Sequence, residues 1–192
     1  MDARFDIPVD SFLYLRHGRT TDNEDHIISG GERDVALTEE GRKKAASLAE
    51  IFSRLTDIKE ICCSPMKRAI ETAQPLNLLA QKPIRIVSTL HEWLVGDYAG
   101  RDEKTYGIQL TDWSFDPPGG ETRIQLQDRV HEAALECFSG SASEKKLIVG
   151  HAGFWRGLAK NLGMPLVEID NCTFYEVYRK GNTWHYNKAT FT

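Results

Sequence analysis

Three short stretches of this chain carry residue types that together could move a phosphoryl group. They are Arg16-His17-Gly18, Ser64-Pro65 followed by Arg68, and Gly150-His151-Ala152-Gly153. Phosphoryl transfer builds charge on the three non-bridging oxygens, so its catalysis is mostly positioning and charge stabilisation. Arginine suits this work because its planar fork bonds two oxygens at once and stays charged. Arg16 and Arg68 would supply two such forks. A neutral imidazole is a competent nucleophile near pH 7, since its reference pKa is about 6.5. His17 can bring its ring close to a phosphate because Gly18 follows it. His151, between Gly150 and Gly153, gains the same close approach and, if protonated, would add a positive donor. With cations from Arg16, Arg68 and His151, the chemistry needs no metal and no cofactor. Each stretch alone carries little weight, for an Arg-His-Gly tripeptide arises by chance and Arg68 could simply pair with Glu71 on a surface. The case rests on their joint placement.

The elements that would position them follow from periodicity. Ser11 to Leu15 reads as a first strand. Thr38 reads as an N-cap, with Glu39 and Glu40 where the helix dipole favours acids. The helix beyond it carries Ala45, Leu48, Ala49, Phe52 and Leu55 on one stripe. Ile61 to Cys63 is a second strand running into Ser64-Pro65, a cap with proline at the first helical position. Ile84 to Val87 is a third strand. Residues 93–120 read as an irregular lid, rich in Gly, Asp, Tyr and Trp. Thr122 to Phe138 reads as a helix with Ile124, Val130, Ala134 and Phe138 inward. Leu147 to Val149 is a fourth strand, and Phe154 to Leu162 a helix. Thr173–Tyr178 and Thr183–Tyr186 flank Lys180-Gly181-Asn182 as a hairpin.

Strands alternating with helices predict a three-layer α/β fold. Its sheet is mainly parallel with helices on both faces, and a small lid is inserted after the third strand. Ligands of such sheets bind beyond the carboxyl ends of the strands, where all three stretches fall. The 192 residues fit one domain, 1–192. A formal charge of −4 disfavours bulk binding to nucleic acid or an anionic membrane. An anionic substrate must therefore meet a local cluster of cations. No apolar run approaches the roughly 20 residues of a membrane span. The first ten residues carry acids and a proline where a leader needs basic and then apolar residues. Cytoplasm is the expected location. Cys62 and Cys63 face opposite sides of their strand, Cys137 and Cys172 stand alone, and none has metal-ligand spacing, so all four are expected buried and reduced. His26, His91, His131 and His185 likewise lack partners at ligand spacing.

The same residues carry a family resemblance. Leu15-Arg16-His17-Gly18-Arg19-Thr20 with Asn23 resembles the signature of the histidine phosphatase superfamily, in its phosphoglycerate mutase-like branch. The likeness continues, in order, through Asp34 to Thr38 with Gly41, Ser64 to Ala69 with Thr72-Ala73, and Leu90-His91-Glu92 with Gly96 and Gly100. Pro118 to Thr122 and Val149 to Gly153 complete it. The resemblance implies that His17 is the phosphorylated nucleophile and that Arg16, Arg68 and His151 complete the phosphate pocket. It places Gly18, Thr20, Asn23 and Ala152 at the substrate, and gives Glu92 the role of general acid. The residues alone do not single out Glu92 from Asp97, Glu103 or Glu121. Two departures, Gly30-Gly31 and Ala99 before Gly100, fall outside the proposed catalytic positions.

The implied activity is that of a phosphoric monoester hydrolase, of histidine acid phosphatase type, acting on a small phosphate ester. A cofactor-dependent phosphoglycerate mutase is the nearest rival, yet such mutases carry a longer insertion than the 58 residues between Glu92 and His151. A non-catalytic phosphoprotein-binding module would be expected to have lost pocket residues that this chain keeps. Trp93, Tyr98, Tyr106 and Trp113 would either pack the lid or line the leaving-group pocket. Arg19, Arg101 and Lys104 could read a second anionic group.

Overall fold

The computed structural model describes residues 5–139 and 144–191. Part of the amino-terminal stretch weighed against a leader, residues 1–4, lies outside the described residues. Six strands form one sheet: β1 (Ser11–Arg16), β2 (Ile58–Cys63), β3 (Ile84–Ile86), β4 (Lys145–Gly150), β5 (Phe174–Lys180) and β6 (Thr183–Lys188). Their order is β3-β2-β4-β1-β5-β6. The β1–β4, β2–β4 and β2–β3 pairs are parallel, whereas β5 and β6 add the antiparallel hairpin expected from the tail.

Alternation along each strand sends side chains to two separate cores. Leu13, Leu15, Ile61, Cys63, Leu147 and Val149 face one side. There they meet α2 (Glu39–Ser47), α3 (Ala49–Arg54) and α4 (Lys67–Leu76) through Ala45, Phe52, Ala69, Ala73 and Leu76. Phe12, Tyr14, Cys62 and Ile148 face the other side. They meet α6 (Arg123–Cys137) and α7 (Ala152–Asn161) through Leu126, Val130, Phe154, Trp155 and Leu158. This is the three-layer α/β arrangement, with Cys62 and Cys63 on opposite faces, and all four cysteines are buried and free.

Three local expectations need correction. The helix after Thr38 is broken at Leu48, whose N–H bonds back to the Ala45 carbonyl in a tighter turn. The helix expected to start at Ser64-Pro65 instead starts at Lys67, with Met66 as N-cap and no side-chain cap. Ser64 is spent elsewhere, as shown below. Ile124 is 67% exposed rather than inward. The inner face of α6 runs through Leu126, Val130, Ala133 and Cys137, and two residues along a helix is about 200° of rotation. Its start is as expected, because Thr122 and Gln125 form a reciprocal capping box.

Within residues 93–120 the structure adds α5 (Glu103–Thr111), capped by Asp102, whose carboxylate accepts the Thr105 N–H at 2.8 Å. Its apolar residues Tyr106, Ile108 and Leu110 fall on no single stripe, so no helical signal was legible. A short helix, α1 (Thr21–Glu24), follows β1 and carries a capping box between Thr20 and Asn23.

Candidate active site

Strand register brings the three stretches together. Leu15 pairs with Val149, and Val149 pairs with Cys63, so the residues just past them emerge at one level. Backbone bonds extend that alignment beyond the sheet: His17 N–H to the Gly150 carbonyl at 3.0 Å, and Ser64 N–H to Val149 at 3.1 Å. A cavity of about 650 Å³ opens there, lined by Arg16, His17, Arg68 and Glu92 among others.

His17 is buried, and its Nδ1 lies 2.7 Å from the Gly18 carbonyl oxygen. A carbonyl only accepts, so Nδ1 carries the proton and Nε2 keeps its lone pair. Burial first, then the charges of Arg68 and Arg16, push the His17 pKa well below the ordinary histidine value. Asn171 donates its side-chain N–H to the His17 carbonyl at 2.7 Å and fixes the backbone.

Arg16 anchors one nitrogen on the Ile169 carbonyl at 2.8 Å. Its Nε is buried with no hydrogen-bond partner among the described residues. A buried, unsatisfied cationic donor costs free energy, which an anion in the cavity would offset. Arg68 is 1% exposed and therefore not a surface arginine. It donates to the carbonyls of Arg33 (2.8 Å) and Gly30 (3.0 Å) and from Nε to His151 Nδ1 (3.3 Å). Glu71 does not pair with it and accepts instead from the Leu37 N–H and Arg42.

His151 is fully buried, with its ring centroid 5.1 Å from that of His17. Because Nδ1 accepts from Arg68, the ring proton sits on Nε2 and is donated to Ser64 Oγ at 2.7 Å. Burial, then Arg68 and His17, hold its pKa well below the ordinary value. The sequence allowed for a protonated donor; the structure has His151 neutral, with both nitrogens engaged. Its backbone is gripped by Tyr14, whose hydroxyl donates to the His151 carbonyl (2.8 Å) and accepts its N–H (2.9 Å). Gly150 makes room for that grip, since a Cβ there would lie 2.5 Å from the Tyr14 hydroxyl.

Glu92 caps the amino end of α7. One carboxylate oxygen accepts the N–H groups of Trp93 (2.8 Å) and Phe154 (2.9 Å), and the other accepts Gly153 N–H (3.1 Å). Gly153 is required for this contact, because a Cβ would stand 2.5 Å from Glu92 Oε1. The other candidate acids lie apart from these bonds. Glu121 holds Arg129 through two short contacts, and Asp97 and Glu103 belong to the outer segment.

Of the expected substrate contacts, Asn23 and Ala152 line the cavity, whereas Gly18 and Thr20 do not. Gly18 gives its N–H to Thr72 Oγ1 at 2.9 Å, and Thr20 spends its hydroxyl capping α1. Arg19 and Lys104 reach the cavity; Arg101 instead lies over the rings of Tyr98 and Tyr106. Trp93 lines the cavity, while Tyr98, Tyr106 and Trp113 pack against the core. Sequence reasoning missed Tyr14, Thr72 and Asn171 as supports, and it read Ser64 as a helix cap. Ser64 was detectable in principle, because aligning the ends of β2 and β4 sets it beside His151. Among the described residues no group of three or more His, Cys, Asp or Glu could hold a metal ion.

The sequence model of the histidine phosphatase superfamily (branch 1) matches residues 12–192. The chain is 31% identical over 176 residues to a glucosyl-3-phosphoglycerate phosphatase of Mycolicibacterium vanbaalenii, covering 83% of this chain and 76% of that protein. It is 31% identical over 172 residues to phosphoglycerate mutase-like protein 4 of Arabidopsis thaliana, covering 82% and 74%. The solved structure of Bacillus stearothermophilus YhfR superposes with a TM-score of 0.78 at 24% identity, over 93% of this chain and 95% of that one.

Proposed function

The chain belongs to the histidine phosphatase superfamily (branch 1), and from that premise we propose that it is a metal-independent phosphomonoesterase working through a phosphohistidine on His17. The carrying observation is the state of His17: its Nδ1 proton is held by the Gly18 carbonyl, so Nε2 is free to attack in a cavity walled by arginine. The phosphohistidine route is typical of the family, and the Mycolicibacterium relative is named as a phosphatase.

In the first step His17 Nε2 bonds to phosphorus while the bond to the leaving oxygen breaks. Glu92 gives that oxygen a proton, and the alcohol departs. Arg16, with its unpaired Nε, and Arg68 hold the charge on the non-bridging oxygens, and His151 supports Arg68 from behind. In the second step water attacks phosphorus, the P–N bond breaks, and Glu92 takes the water's proton. The net change is ester plus water to alcohol plus phosphate. Glu92 accepts three backbone N–H bonds, two on Oε1 and one on Oε2, which leaves a lone pair on Oε2 to carry the proton that is passed.

Hydrolysis is preferred to mutase chemistry because the outer wall between Glu92 and α6 is short, with α5 as its principal element. Arg19 and Lys104 at the cavity are exposed, so water has access. The substrate is a small phosphate ester. Histidine acid phosphatase chemistry in the cytoplasm is our reading, in keeping with four buried free thiols. The test is a panel of phosphate esters assayed for released phosphate, with and without a chelator. Turnover that survives chelation supports the reading; loss restored by a divalent metal contradicts it.

A further inference from the structure

The cavity is much larger than a phosphoryl group needs, and its remaining walls have a definite character. An aliphatic track forms part of the lining, its residues graded from buried to exposed: Ile169 is 2% exposed, Leu110 7%, Val167 36% and Ile108 73%. Ile169 marks the inner end, since its carbonyl holds Arg16. These side chains come from two separate segments, α5 and the stretch before β5, and Ile27 joins them from the loop after α1.

The track is built before any ligand arrives. Gly100 N–H bonds to the Ile28 carbonyl (2.8 Å), Ile28 N–H to Arg101 (2.9 Å) and Glu103 N–H to His26 (2.7 Å). These bonds tie the start of α5 to the loop that carries Ile27. From the other side Arg123 reaches the carbonyls of Leu110, Asp112 and Phe115 while stacked 3.8 Å from the Trp93 ring centroid.

Charge beside these residues is mixed and only weakly cationic. Arg19, Lys104 and Arg156 are set against Glu103 and Glu168, and Arg156 already holds Glu168 at 2.8 Å. A second anionic group would therefore meet carboxylates as well as cations. An apolar body would cover exposed aliphatic surface without adding a charge to this mixed set.

Resting on the phosphatase reading, we infer that the substrate's leaving group is a medium-chain alkyl or aryl alcohol, not a small polyol or an alcohol bearing a second anionic group. The test compares alcohols of similar acidity, so that leaving-group chemistry is held constant. Ethyl phosphate, n-hexyl phosphate, glycerol 3-phosphate and 3-phosphoglycerate are assayed for released phosphate. Each buried methylene strengthens binding by up to about fourfold. The KM for hexyl phosphate should fall at least about tenfold below that for ethyl phosphate, with glycerol 3-phosphate and 3-phosphoglycerate poorer still. Ile108→Ser, at a site 73% exposed, should raise KM for the hexyl ester several-fold more than for the ethyl ester. Calorimetry with hexylphosphonate and methylphosphonate reads the same preference without turnover. No turnover with any ester but tight hexylphosphonate binding would overturn the phosphatase reading and leave the ligand class standing. Equal KM values for hexyl and ethyl phosphate, or preference for glycerol 3-phosphate or 3-phosphoglycerate, would overturn the inference while leaving the phosphatase reading intact.

Discussion

Arg68 donates its Nε–H to Nδ1 of His151 across 3.3 Å, and this one bond settles the state of a fully buried ring. A permanently charged donor on Nδ1 excludes a proton there, so the single ring proton lies on Nε2 and goes to Ser64. The same guanidinium charge bears on His17, whose tautomer is set independently by the Gly18 carbonyl. Two neutral imidazoles thus stand 5.1 Å apart, ring centroid to ring centroid, under an arginine.

Stability should record this burial as a dependence on pH. Both histidines have folded pKa values well below the ordinary 6.5 or so, so below that pH the unfolded chain binds protons that the native protein refuses. Their contribution is complete above about pH 6.5 and is lost as pH falls toward the folded values, at up to about 1.4 kcal/mol per pH unit for each histidine. Asp22 and Glu60, held low chiefly by bonds to Arg33 and Arg85, add losses only at more acidic pH. Urea unfolding between pH 7.5 and 5.5 should show the decline, and His151→Asn should make it shallower. A flat parent curve across that range would refute the buried neutral pair.

Gly153→Ala tests whether Glu92 depends on the start of α7. Alanine in place of glycine inside a helix ordinarily stabilises by about 1 kcal/mol. Here the new Cβ would lie 2.5 Å from Glu92 Oε1 and 2.9 Å from the Trp93 Cβ, so the carboxylate must leave its N–H donors. Melting temperature should fall instead of rising, and turnover of alkyl phosphates should drop about tenfold or more, the scale of a displaced general acid. Full activity with a raised melting point would show that the cap is dispensable.

Much of this arrangement was legible because strand ends and glycines leave local marks. Arg16, His17 and His151 follow apolar strands directly, and parallel register then carries them to one edge. Ser64 was misread because Ser-Pro is a good local helix start, and only the packing of β2 against β4 diverts its hydroxyl to His151. Glu92 was reached through the family resemblance. Its partners Gly153 and Phe154 are about 60 residues away, and no local periodicity signals a carboxylate capping a remote helix. Ile124 and α5 were misjudged for the converse reason, since tertiary packing chose faces that hydropathy alone did not mark.

Glu92→Gln should separate leaving groups. An alkoxide leaves poorly without a proton, whereas nitrophenolate is already a stable anion. A positioned acid typically contributes about 10²–10⁴-fold, so that range of loss is expected with an alkyl phosphate and a much smaller one with nitrophenyl phosphate. The amide keeps the carboxylate's shape and can still accept from Phe154. Equal losses on both substrates would reassign Glu92 to holding α7, with Glu103, which also lines the cavity, next in line for the acid.

The central claim, a covalent phosphoryl group on His17, is tested most directly by trapping it. The protein is mixed with substrate carrying labelled phosphate, quenched within milliseconds, digested and mapped by mass spectrometry. The label should appear on the peptide containing His17, should be lost in acid and should persist in alkali, as a phosphoramidate does. His17→Ala should abolish label and turnover together. Label on another residue, or turnover near the parent's in His17→Ala, would contradict the account.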